Sequence, residues 1–219
     1  LWKKPTAFRM GWDESCVYVG VRCKAPFNHL FFPLPEDGSN LWKDDSVEIF
    51  LSPDGERYRQ FIVNSVGARW NGRDGAVADT MWDWHAGAAV SGDAWTAEIA
   101  IPFSLIGKTP TDGDVWRFNV ARNTATDPAG ERHSSWAPVK TGFGDVGQFA
   151  ELRFIDKTSA AAATRAAEHR LNEPYRTFVK NARGKPDNLV ANGSFENGLT
   201  GWSRRSPNRV RADKTTSTA

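Results

Sequence analysis

The stretch Leu41-Trp42-Lys43-Asp44-Asp45-Ser46-Val47-Glu48-Ile49-Phe50-Leu51 decides the fold. From Ser46 onward, Val47, Ile49 and Leu51 alternate with Ser46, Glu48 and Phe50. A period of two marks a β-strand that turns one face into a core. The turn-forming run Ser52-Pro53-Asp54-Gly55-Glu56 follows, then a second strand from Tyr58 to Asn64, which together predict a hairpin. Paired in register, Phe61 and Val63 join the core face, while Gln60, Ile62 and Asn64 share the other face with Glu48.

Outward from this hairpin, residues 6–155 read as short strands with turn punctuation. Thr6 to Met10 and Val17 to Cys23 are strands separated by a turn at Trp12-Asp13-Glu14. Ala86 to Val90 and Trp95 to Ile101 form a hairpin across Ser91-Gly92-Asp93. Pro102 to Gly107 gives one helical turn. Trp116 to Ala121 is a strand that sends Trp116, Phe118 and Val120 to one face, and Ala150 to Ile155 closes the series. Gly67 to Asp79, rich in Gly, Asp and Asn, reads as an exposed excursion. Many short strands with regular turns predict an all-β fold, an antiparallel β-sandwich.

A second composition begins after residue 156. Ser159 is placed to N-cap a helix through Ala160–Ala163, and Pro174 to open another piece that ends at Gly184-Lys185-Pro186. The domain reading is therefore a sandwich over 1–156, a helical linker over 157–187, and the truncated start of a second β module over 188–219. Residues 203–219 of that last part read as polar and disordered. Leu1 is not a start methionine, and the chain reads as beginning inside a domain.

The 219 residues carry 28 Lys+Arg against 26 Asp+Glu, a formal +2, which gives no electrostatic pull toward nucleic acid or a membrane surface. No apolar run approaches the ~20 residues of a membrane span. Cys16 and Cys23 flank a strand, and seven extended residues cover about 23 Å. A disulfide holds its Cα atoms within about 7 Å, so the two are not expected to pair. Ten Trp and thirteen Phe are unusual; some must be core, but many lie near turns and loops, where a core explanation is weaker.

Trp42, in the loop feeding the strand, can present a flat ring beside carboxylates and amides. That combination suits a sugar, which offers apolar C–H faces rimmed by hydroxyls; the bland alternative is a half-buried strand with a Trp in its approach. Met81-Trp82-Asp83-Trp84-His85 offers a further aromatic, Trp82, against the alternative of sheet packing. Asp44, Asp45, Glu48 and Asp83 could supply paired carboxylates for glycoside hydrolysis, yet no spacing fixes two of them at a working separation. No Gly-x-Ser-x-Gly, Walker, His-Glu-x-x-His or Cys-x-x-Cys motif occurs.

In order, Trp12-Asp13-Glu14, Leu41 to Phe50, Gln60 to Asn64, Trp95 to Pro102, Trp116 to Arg122, Ser135-Trp136 and Gln148-Phe149 resemble the family 9 carbohydrate-binding modules over about residues 6–155. The resemblance implies a β-sandwich that binds an oligosaccharide or polysaccharide without cleaving it. It further implies an accessory module of a larger extracellular or periplasmic carbohydrate-active protein, with a covalently linked catalytic domain outside this chain. The family clamps a sugar between two rings, which fall here at Trp42 and Phe143. Glu48 falls at its hydroxyl-binding acid, within a motif that also contains Asp45, and Asn64 at the amide of the paired strand. Trp82 is a candidate third ring. An Arg that the family often uses falls at Ile62. With Phe143 in place of the expected Trp, that departure leaves a second reading, a spacer sandwich whose sugar site has decayed.

The family often carries structural calcium. The acidic stretch expected after Cys23 reads Lys24-Ala25-Pro26, so no cofactor is expected there. Asp74 and Asp79 read as solvated loop acids. The segment Asn192-Gly193-Ser194-Phe195-Glu196 to Trp202 resembles the opening of galactose-binding-like modules.

Overall fold

A computed structural model describes residues 5–25, 36–38, 40–125 and 132–156 in full, and the backbone of 202–206 and 209–212. The strands of the main body are β1 (Thr6–Trp12), β2 (Cys16–Lys24), β3 (Ser46–Ser52), β4 (Arg59–Asn64), β5 (Arg69–Arg73) and β6 (Ala76–Val77). They continue with β7 (His85–Ser91), β8 (Ala94–Pro102), β9 (Val115–Asn123), β10 (His133–Ser135) and β11 (Ala150–Arg153). One antiparallel sheet runs β1-β2-β8-β7. The other runs β10-β9-β3-β4-β5-β6, with β11 paired to the first half of β9. The chain is thus an antiparallel β-sandwich.

The quoted strand lies at the centre of the larger sheet. β3 pairs with β4 on one side and β9 on the other, with Ile49 opposite Phe61 and Val120, and Glu48 opposite Ile62 and Ala121. The face-sharing predicted from alternation therefore holds. Val47, Ile49, Leu51, Phe61, Val63, Trp116, Phe118 and Val120 enter the core from this sheet. Val17, Val19, Val21, Trp95, Ile99 and Ile101 meet them from the other. Each fully buried Val, Leu, Ile or Phe contributes about 1.5–3 kcal/mol, which makes this interlayer the main source of stability. Cys16 and Cys23 are both free thiols. Helix α1 (Phe103–Ile106) occupies the predicted turn after β8 and stops at Gly107, whose φ of 90° suits glycine.

Three expectations change. The outer face of β3 is not open: every residue from Ser46 to Ser52 is buried, because aromatic rings and amide side chains cover Phe50 and Glu48. The segment Gly67–Asp79 is not an exposed excursion but carries β5 and β6, with Arg69, Trp70, Asn71 and Gly72 buried. Its polar residues fasten the structure: the Asn71 Oδ1 accepts hydrogen bonds from the Trp82 amide and the Trp84 indole, each at 3.0 Å. Finally, Trp202–Ser206 and Arg209–Ala212 pair as an antiparallel hairpin (β12 and β13) where disorder was expected. Arg209-Val210-Arg211-Ala212 alternates charged and apolar residues, which suits a strand despite the charge. The helical linker 157–187 and the rest of the second module fall outside the described residues.

Candidate functional site

The outer face of the large sheet gathers polar side chains by register alone. Neighbouring rows place Ser46 beside Asn64 and Asn123, Glu48 beside Ile62 and Ala121, and Phe50 beside Gln60 and Asn119. Glu48 is the chemical centre of this strip. Its Oε2 accepts a hydrogen bond from the Gln60 amide and its Oε1 one from the Asn123 amide, both at 2.6 Å. The Asn123 amide nitrogen also donates to the Ser46 hydroxyl at 3.1 Å. Burial pushes the Glu48 carboxyl above the usual range, and the two amide donors pull it back. The result is a carboxylate fixed in orientation on both oxygens.

Aromatic groups flank the strip on both sides. A 3-10 turn at Leu41–Lys43 presents Trp42, which is 36% exposed. Its ring stands edge-on to Trp70, with centroids 5.7 Å apart at 86°. Trp70 is itself buried with Leu41, Ile62 and Ala68, so the Trp42 wall rests on the β4–β5 side. On the opposite side, Phe143 lies 6.5 Å from Phe50 and 5.8 Å from the His133 ring, both edge-to-face. Tyr58 and Phe149 complete that cluster. Gly144 lets the Phe143 loop settle there, because a Cβ at this position would collide with the Tyr58 hydroxyl.

Trp42, Glu48 and Phe143 therefore sit on one face, as anticipated. Of the other three candidates, Asn64 shares that face beside Ser46 but is engaged in a turn, while Asp45 and Trp82 lie elsewhere. Asn64 is fully buried: its Nδ2 donates to Asp44 at 3.0 Å, and its Oδ1 accepts the amides of Val66 and Ala68. Both ends of its amide shape the turn between β4 and β5. Asp45 is also fully buried, close enough to Cys23 for its charge to add to the burial that pushes that thiol up to about 12, while Arg122 opposes the rise. It belongs to the end of the core. Trp82 packs from the inner side, 5.7 Å from Phe61, which is the sheet-packing alternative.

Two residues of the strip were missed. Asn123 continues the Arg117-Asn119-Ala121 alternation by one step, so extending the strand would have found it. His133 reaches the strip only through the pairing of β10 with β9, which places it opposite Asn123, and no local signal announces that. Of the two loop acids, Asp74 accepts the Tyr58 amide hydrogen at 2.7 Å. Among the described residues no three His, Cys, Asp or Glu side chains come together as a metal site. Among them, too, no helix is long and apolar enough to cross a membrane.

The profile of the "Carbohydrate family 9 binding domain-like" family matches residues 3–157. Endo-1,4-beta-xylanase A of Thermotoga maritima and that of Thermotoga neapolitana are each 30% identical over 157 residues. Those matches cover 67% of this chain but 14% of each xylanase, so the chain spans a small part of these relatives. Among solved structures, a family 9 carbohydrate-binding module from Caldicellulosiruptor kristjanssonii in complex with glucose superposes with a TM-score of 0.56 at 20% identity. It covers 70% of this chain and 78% of the module. The complex of such a module from the same organism with cellotriose gives 0.56 at 19% identity, over 72% and 78%. Fold and profile agree over the same sandwich, and the chain belongs to the carbohydrate family 9 binding domain-like family.

Proposed function

We propose that this chain is a non-catalytic carbohydrate-binding module that holds an oligosaccharide or polysaccharide on the outer face of its larger sheet. One observation carries the reading. In a member of this family, a buried carboxylate oriented by two amides lies in a strip flanked by Trp42 and Phe143. Ring faces cover the apolar C–H surface of a sugar, and the fixed polar groups orient its hydroxyls. Ile62, where the family often has Arg, belongs to the apolar patch under Trp70, so contacts on that side are apolar. Glucose and cellotriose, bound by the two solved modules, are the first ligands to test. The xylanase relatives support an accessory role beside a catalytic domain; an extracellular or periplasmic setting is what the family resemblance implies. The spacer reading remains the second one, favoured by Phe143 and Ile62 at the positions of a Trp and an Arg.

Calorimetry of the chain against glucose, cellotriose and xylo-oligosaccharides, with Trp42→Ala alongside, separates the two. Losing one stacked ring is expected to weaken binding about tenfold or more, equivalent to about 1.4 kcal/mol. Trp42 is partly exposed, so the variant should keep the parent melting temperature. Absence of heat with every sugar, from a folded chain, would favour the spacer.

A further inference from the structure

We propose that His133 is a ligand-contacting residue of the sugar face, presenting a neutral acceptor nitrogen to a sugar hydroxyl, and that Gln60, Glu48 and Asn123 set which nitrogen it presents. The inference rests on the sugar-binding reading above and deepens it. Asn123 links Glu48 to His133. Its amide nitrogen donates to Glu48 at 2.6 Å and to Ser46 at 3.1 Å, which uses both N–H groups. Its Oδ1 therefore faces the Nδ1 of His133, 2.9 Å away. An amide oxygen only accepts, so Nδ1 must carry the hydrogen. In the neutral ring Nε2 is then left with a lone pair, on the side of the ring away from Asn123.

The surroundings make that lone pair useful. His133 is exposed, and its ring meets Phe143 edge-to-face, so it belongs to the same wall as a predicted stacking ring. Both oxygens of Glu48 already hold amide donors. Among the described residues, no neighbouring side chain engages the Nε2 of His133, which thus adds an acceptor. Gln60 matters at a distance: by holding Oε2 it turns Oε1 toward Asn123, which fixes the amide and hence the imidazole tautomer. The ligand class is a neutral sugar whose hydroxyl donates to Nε2 while a ring face rests on Phe143.

The test uses the intact chain labelled with nitrogen-15, and long-range proton–nitrogen correlations of the imidazoles with and without saturating cellotriose. The expected result is the Nδ1–H tautomer for His133 in the free protein and a clear shift of its Nε2 on binding. In calorimetry, His133→Leu should bind about five- to tenfold more weakly, the loss of one hydrogen bond, at an unchanged melting temperature. His133→Gln, which retains a polar group, should recover part of the loss. An Nε2–H tautomer in the free protein would overturn the relay. Cellotriose binding that needs Trp42 but leaves both His133 nitrogens unmoved and His133→Leu unimpaired would overturn the ligand role alone. No binding of cellotriose, glucose or xylo-oligosaccharides by the folded parent would instead defeat the sugar reading, and this proposal with it.

Discussion

Glu48 combines two demands that usually conflict. It is almost fully buried, which penalises its charge, yet each oxygen takes an amide hydrogen at 2.6 Å, which favours that charge. Glu48→Gln separates the two. The glutamine keeps the volume and removes the buried charge, but it has one oxygen for two N–H donors, so one of them must face another N–H group. The expected cost is about 1–2 kcal/mol, the penalty of leaving one buried donor unpaired, measured by urea denaturation. Because Asn123 loses its anchor, sugar binding should weaken even where the folded fraction is complete. A variant as stable as the parent and equally able to bind would show that the carboxylate has neither role.

The hairpin of β3 and β4 was legible because alternation, turn chemistry and register all act over short distances. Strand β5 was not. Asn71 and Gly72 are loop-like residue types, and only their partners on β4 and beyond make them strand residues. Arg69 pairs with Asp37 at 2.7 Å, donates to the Trp84 carbonyl and lies 5.5 Å over the Trp84 ring. Trp82 was ambiguous for the same reason, since its face depends on where the Asn71 amide anchors the chain. Of the candidate site, Trp42, Glu48 and Phe143 were readable from order and alternation. The burial of Asn64 and Asp45, and the arrival of His133, depend on turns and pairings that spacing alone does not encode. The fastening role of Arg69 is testable. Arg69→Met keeps the stem and the backbone N–H that donates to Asp37 Oδ1 at 2.8 Å, but it leaves Asp37 Oδ2 and the Trp84 carbonyl without their guanidinium donor, and about 3 kcal/mol is expected for breaking such a pair. Asp37 is partly exposed, 24% of its side chain, which holds the cost to the lower end. Thermal melting would check it, and a loss below ~1 kcal/mol, the range of a surface pair, would contradict it.

At the scale of the whole molecule, the two sheets turn different outer faces to their surroundings. The larger carries the polar strip between Trp42 and Phe143, where sugar binding is proposed. The smaller carries Glu98, placed between Gly20 and Gly87 on the neighbouring strands and only 7% exposed. Burial alone pushes its carboxyl up to about 8, against ~4.3 for an unfolded Glu. Between those values folded Glu98 holds more protons than it does in the unfolded chain, so its contribution to stability falls as pH rises from about 4 to about 8, then levels off. Glu98→Gln removes that titration while keeping the shape. Its melting temperature should exceed the parent's at pH 9 by more than at pH 4.5, where the parent's own carboxyl is largely protonated when folded. Parallel melting curves for the two proteins from pH 4.5 to 9 would refute the buried acid. Sugar affinity, measured at one pH on both, should be the same, because Glu98 faces away from the strip across the full thickness of the core. A matching loss of binding would mean that the two faces are coupled through the sandwich rather than separated by it.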